Sequence, residues 1–325
     1  MICAACDGDG RWVAAAHGSI GDATTVATPR DTFDALPPKR SRSNAAPPCR
    51  GRHGPRTSVL TGAVAGPDVA PPGATVLDVY AVAMHVTTRG SDDAPTLVML
   101  HGGIGTGEYH WGKQADALSD LFCVHLPDLP GHGNSPLEDR EEFSQELLVD
   151  AVIDHIEQIG ATVHLAGFSM GGHTALPLVE RRPELVLSLV LIGVSVREHE
   201  GLRAWREVFH PDQLAADYPF WAKTLSKLHA PLGGDDAWRE VCLRDSKGLR
   251  IDVDVDALSA LEAPVLLVRG DRDTTIDPAQ YADLRASFPN SEEAVIPNGG
   301  HDVQLTRADL VKPLLRDFYE RVLKQ

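Results

Sequence analysis

From about Ala74 the chain alternates short, continuously apolar runs with amphipathic stretches of ten or more residues. The runs TLVMLHGG (Thr96–Gly103), FCVHLPD (Phe122–Asp128), ATVHLAG (161–167) and APVLLVRGDRD (263–273) carry no internal polar alternation, so both of their faces must be covered. A strand buried on two faces needs a helix on each. The repeated order strand–helix–strand therefore predicts an α/β fold with a mostly parallel sheet covered on both sides.

The stretch EEFSQELLVDAVIDHIEQIG places Leu148, Val152, Ile156 and Ile159 along one helical face, and a final helix does the same with Val311, Leu314, Leu315, Phe318 and Val322. TVLDVYA (75–81) and AMHVTT (83–88) read as an opening antiparallel pair. The regular order breaks at about 197–250, a helical segment holding Trp205, Trp221 and Trp238 with Phe209, Tyr218 and Phe220, which reads as an inserted cap. Pro177 falls inside the helix after ATVHLAG, where a missing N–H and a ring clash cost about 3 kcal/mol.

Residues 1–72 are different. They contain nine of the 23 prolines and no sustained period, so we read them as a disordered tail preceding one domain over 73–325. The formal charge of −16 is uneven: the first 72 residues hold eight Lys or Arg against six Asp or Glu, leaving 22 against 40 in the body. An acidic body argues against nucleic acid or an anionic membrane as partner. PPKRSRS (Pro37–Ser43) is a small basic cluster in the tail, read as solvated.

The longest apolar run, Leu185–Val196, is too short for a bilayer, which takes roughly 20 residues. The N-terminus has no apolar secretory core and carries Asp7 and Asp9, which together with five scattered cysteines predicts a cytoplasmic protein with free thiols. Cys3 and Cys6 form one CxxC without a second ligand pair, so no metal site is expected.

Within VHLAGFSMGGHTAL, the segment Gly167-Phe168-Ser169-Met170-Gly171 puts a serine at a strand-to-helix junction between glycines. Such a turn holds the hydroxyl above the sheet, and side chains at 167 or 171 would collide across it. A neutral serine is a weak nucleophile and needs a base oriented by a third group. His301, in IPNGGHD, and Asp273, in RGDRDTTIDP, stand just past later strands in the order Ser, Asp, His; Asp271 and Asp277 are rivals for the acid. Attack on a carbonyl makes an oxyanion, and LHGGIGTGEYHW offers backbone donors that glycine lets approach closely. The N–H groups of Gly103 and Met170 can point at one spot, with His101 bracing the loop.

Together HGGIG, DLPGHGNS, GFSMGG, GDRD and NGGHD resemble the α/β-hydrolase superfamily over about 74–325. The resemblance implies an α/β-hydrolase fold with an eight-stranded sheet and small helical cap, Ser169 as nucleophile, Asp273 as acid, His301 as base, Gly103 and Met170 as oxyanion donors, a structural His132, and no cofactor. By texture the chain is similar to small-capped carboxylesterases, enol-lactonases, meta-cleavage C–C hydrolases and cofactor-free haloperoxidases. The expected activity is cleavage of a small or medium apolar carboxylic ester, thioester or lactone through an acyl-enzyme. A C–C hydrolase, a haloperoxidase-like enzyme, a non-catalytic binding module and a tail-mediated nucleic-acid adaptor are the competing readings. Trp205, Phe209, Phe220 and Trp221 are the candidate pocket for an apolar acyl group, and activity is expected to rise with pH through roughly 6–7.

Overall fold

The computed structural model describes residues 84–137, 142–208, 210–248 and 253–325, with the backbone of three earlier strands at 5–6, 12–13 and 56–59. β1 (Ala5–Cys6) and β2 (Trp12–Val13) form a small antiparallel ribbon. The remaining strands are β3 (Arg56–Val59), β4 (His85–Arg89), β5 (Thr96–Leu100), β6 (Cys123–Pro127), β7 (Val163–Phe168), β8 (Val186–Ile192), β9 (Val265–Gly270) and β10 (Ser291–Ile296). They make one eight-stranded sheet in the order β10-β9-β8-β7-β5-β6-β4-β3. Five neighbouring pairs are parallel, and only β6·β4 and β4·β3 run antiparallel. The segment 75–81, expected to pair with β4, lies outside the described residues; the strand that pairs there is β3, in register Arg56↔Thr88 through Val59↔His85.

The unbroken apolar runs have two faces to fill. Along β5, Val98 and Leu100 enter one core while Leu97 and Met99 enter the other, as a period of two requires. The first core is closed by α2 (Gln145–Ile159), α3 (Met170–Arg181) and α8 (Pro278–Ser287), through residues such as Val152, Leu176 and Tyr281. The second is closed by α1 (Gly107–Leu118), the short α9 (Val303–Thr306) and α10 (Ala308–Val322), through Trp111, Val303, Val311 and Phe318. Leu148, Val152 and Ile156 are buried along α2, and Ile159 is half-buried at its end.

Helix ends follow from local chemistry. Ser144 accepts the Leu147 N–H at the start of α2, Gly160 ends that helix at φ +72°, and Thr106 accepts the Tyr109 N–H at the start of α1.

α3 runs unbroken through Pro177. Proline removes the N–H that would bond the carbonyl four residues earlier, that of His173. The Gln145 side-chain amide donates to this carbonyl at 3.0 Å from the neighbouring α2, which offsets part of the cost. Gln145→Leu is therefore expected to cost about 1–2 kcal/mol by leaving the His173 carbonyl unpaired. The midpoint of urea unfolding measures it, and an unchanged midpoint would show that water serves the carbonyl equally well.

Between β8 and β9 stand α4 (Glu200–Val208), α5 (Pro211–Asp217), α6 (Pro219–His229) and α7 (Ala237–Gly248). The last three enclose a separate small core of Leu214, Ala222, Leu225, Trp238, Val241 and Cys242. Its one member from the main domain is Ile104, from the loop after β5. Cys123 and Cys242 are free and buried. Among the described residues no helix is long and apolar enough to cross a membrane.

The site is positioned by the sheet order. The connection leaving β5 runs to β6 on one side and that leaving β7 runs to β8 on the other, so the two diverge and open a crevice at the carboxyl ends of these neighbours. The register Leu100↔Gly167 puts the loop after β5 beside the turn after β7.

Candidate active site

Ser169 directly follows β7 and has φ +48° and ψ −114°, a backbone state that side chains other than glycine's rarely adopt. Such strain costs about 1–3 kcal/mol and persists only where the surroundings enforce it. Here they do. The Ser169 N–H is tied to the Ile192 carbonyl of β8 at 2.9 Å, and α3 begins one residue later. A Cβ at Gly167 would lie 2.6 Å from the Gly171 carbonyl oxygen, and one at Gly171 would lie 2.3 Å from that of Leu100. The two glycines thus let strand, turn and helix touch. Gly171→Ala is expected to lower stability by about 3 kcal/mol, since backbone and not a movable side chain stands in the way. A melting temperature within two degrees of the parent would contradict this.

His301 comes from the loop after β10 and Asp273 from the loop after β9. The His301 Nε2 lies 2.9 Å from the Ser169 Oγ, and its Nδ1 lies 2.9 Å from Asp273 Oδ2. Because the carboxylate accepts the Nδ1 proton, the lone pair on Nε2 faces the serine hydroxyl. Burial disfavours a charged imidazole, yet the charge and hydrogen bond of Asp273 outweigh it and raise the His301 pKa above the ordinary 6.5. Burial likewise opposes ionisation of Asp273, but His301 and two bonds from Thr275 hold its carboxyl below the usual range.

The rivals to Asp273 have other work. Asp277 caps α8 by accepting the Ala279 N–H at 2.9 Å, and Asp271 accepts the Gly299 N–H at 3.1 Å, tying together the loops that carry Asp273 and His301.

The two candidate oxyanion donors come from the loop after β5 and from the start of α3. Met170 opens α3, so its N–H is among the first four that find no acceptor inside a helix, at the positive end of the dipole. The Gly102–Gly103 peptide is fixed by its carbonyl, which accepts from His101 Nδ1 at 2.8 Å and from the Gly105 N–H at 3.3 Å. In a trans peptide the Gly103 N–H must then point the opposite way. The His101 Nε2 accepts the Leu129 N–H at 2.8 Å, so one neutral tautomer satisfies both ends; burial first, then the nearby His132, lower its pKa to about 3.

The model of the alpha/beta hydrolase family matches residues 97–313. The chain belongs to that family. Curated relatives of this hydrolase include the pimeloyl-(acyl-carrier protein) methyl ester esterase of Aeromonas hydrophila, 28% identical over 240 residues and covering 67% of this chain and 92% of the relative. The protein of that name from Nitrosomonas europaea is 30% identical over 245 residues, covering 67% and 92%. Among solved structures, a serine hydrolase from the polyaromatic-hydrocarbon-degrading bacterium Cycloclasticus zankles superposes with a TM-score of 0.64 at 20% identity, covering 82% of this chain and 98% of that one, a likeness of fold.

Of the four pocket residues read from the sequence, the structure describes the side chains of two, Phe220 and Trp221. Phe220 of α6 is 64% exposed, so its ring faces solvent where an apolar lining was expected, while Trp221 packs against the small core around Leu214 and Trp238. A helix with one face on its own core must turn adjacent residues to different sides. The Trp205 side chain and Phe209 lie outside the described residues.

One contributor to this hydrolase's site escaped the sequence reading. The Thr275 hydroxyl donates to Asp273 Oδ1 at 2.7 Å, its N–H reaches the same oxygen at 2.9 Å, and its Oγ1 lies 2.7 Å from His301 Nδ1. The only available signal was a hydroxyl residue two positions after the acid.

Proposed function

We propose that the chain hydrolyses small or medium carboxylic esters, thioesters or lactones through an acyl-enzyme. The observation that carries this reading is the unbroken line Ser169 Oγ, His301 Nε2, His301 Nδ1, Asp273 Oδ2, with 2.9 Å between each pair of side chains. It has the order of groups that turns a weak hydroxyl into a nucleophile.

As Ser169 Oγ bonds to the substrate carbonyl carbon, its proton passes to His301 Nε2. The carbonyl oxygen gains the negative charge and is met by the N–H groups of Gly103 and Met170, each such donor contributing about 3 kcal/mol. Asp273 stabilises the imidazolium without taking its proton. Collapse restores the carbonyl and expels the alcohol, thiol or tethered hydroxyl, which takes the proton from Nε2. Water then repeats the sequence on the acyl-serine and releases the acid. Relatives named as methyl ester esterases support an ester as the bond cut.

The test is fluorophosphonate labelling with peptide mapping, coupled to aryl esters of increasing acyl length. The expected label is on Ser169, with turnover of at least one ester. Absence of the label, or turnover that stops after one equivalent, would overturn the reading. Faster bleaching of a vinylogous diketone than of any aryl ester would replace the ester by a C–C bond.

A further inference from the structure

The loop that carries Gly103 is gripped by two side chains from the inserted helices. Ile104 has φ +49° and is buried, a costly state for a β-branched residue. Its side chain sits in the core of α5, α6 and α7. Its N–H donates to Asp245 Oδ2 of α7 at 2.6 Å, and its carbonyl accepts from His229 Nε2 of α6 at 2.9 Å.

The protonation pattern around this grip is consistent. The His229 Nδ1 accepts the Gly133 N–H at 3.1 Å, so its proton is on Nε2 and aims at Ile104. The other face of Asp245 meets His132 Nε2, 3.1 Å from both carboxylate oxygens. The His132 Nδ1 faces the Pro130 carbonyl at 3.1 Å, which can only accept, so both ring nitrogens of His132 face acceptors. The His132 ring thus stands between two acceptors, the Asp245 carboxylate and the Pro130 carbonyl. The pair is almost wholly buried, with side-chain exposures of 1% for His132 and 6% for Asp245.

Gly103 therefore lies between two fixed peptides. His101 holds the one before it through the Gly102 carbonyl, and Asp245 holds the one after it through the Ile104 N–H. We propose that Asp245 and His229 are positioning residues that make the oxyanion donor at Gly103 depend on docking of the inserted helices. Substrate entry that displaces α6 and α7 unmakes the donor, and their return restores it, so the barrier to reaction falls only when the helices are seated. This rests on the assignment of Gly103 above.

The experiment compares the full-length parent with Asp245→Ala, His229→Leu and Asp245→Asn. It measures kcat and KM on one aryl ester and inhibition by a trifluoromethyl ketone, whose hemiketal oxygen occupies the oxyanion position. Asp245→Ala and His229→Leu are each expected to lower kcat at least tenfold with KM within twofold, and to weaken the ketone by the same factor. Asp245→Asn keeps an acceptor for the Ile104 N–H and is expected within threefold of the parent on all three measures.

A cooperatively melting Asp245→Ala or His229→Leu that keeps kcat within threefold overturns the proposal. So does a loss confined to KM with unchanged ketone affinity. Should both of those variants fail to fold, Asp245→Asn decides alone: a tenfold loss of kcat overturns the acceptor role. A parent without the fluorophosphonate label fails the catalytic reading itself; a labelled, active parent with indifferent variants fails only the grip.

Discussion

Replacing Ser169 by alanine is expected to lower kcat by about five to six orders of magnitude, which is the loss seen when the nucleophile of such a unit is removed. The substitution deletes the hydroxyl that lies 2.9 Å from the His301 Nε2 and so removes the oxygen that would attack the carbonyl. The fluorophosphonate label is expected to disappear with it. Alanine keeps the Cβ, so the strained turn at φ +48° stays occupied and the melting temperature is expected to move by only a few degrees. This pairing of a lost reaction with a kept fold separates chemistry from collapse. Turnover within tenfold of the parent would remove Ser169 from the mechanism.

The second large effect is at Asp273, where asparagine is expected to lower kcat by about 10⁴-fold. Asparagine can turn its amide toward His301 Nδ1, which places the imidazole proton on Nε2, facing the serine. The pH dependence carries a second signature. His301 works as a base only when neutral, so activity rises as pH climbs through its pKa, and Asp273 raises that pKa above 6.5. The rising limb of kcat/KM in the parent is thus expected to centre above 6.5, on the upper side of the range read from the sequence. In Asp273→Asn the carboxylate charge is gone while burial remains, and burial favours the neutral ring. The limb is therefore expected to move to lower pH. A midpoint that stays put, or a loss under tenfold, would show that Asp273 does not orient the base.

Much of the site was legible because its parts are local. The glycines at 167 and 171 are needed by backbone only a few residues away and by the strand beside it, so their spacing alone specifies the turn. Asp273 and His301 stand just past apolar runs, and the ends of parallel strands share one edge. Pro177 looked like a defect from the sequence alone. Its accommodation by Gln145 depends on α2 packing across α3, a contact between residues 28 positions apart in the chain and invisible to any local pattern.

The histidines draw the boundary most clearly. His101, His132, His229 and His301 are the same residue type, and no spacing distinguishes a base from a brace. What divides them is the partner each meets after folding: a serine hydroxyl for His301, a glycine carbonyl for His101, a buried carboxylate 113 residues away for His132, and the Ile104 carbonyl 125 residues away for His229. The amino-acid order determined by itself the layered sheet, the sharp turn at Ser169 and the succession of Ser169, Asp273 and His301 past strand ends, because apolar period and glycine geometry act over short stretches. Only the tertiary structure decided which aromatic rings face solvent, how the loop before α1 is held and which imidazoles are neutral, because burial and hydrogen-bond partners arise from groups that the chain itself keeps far apart.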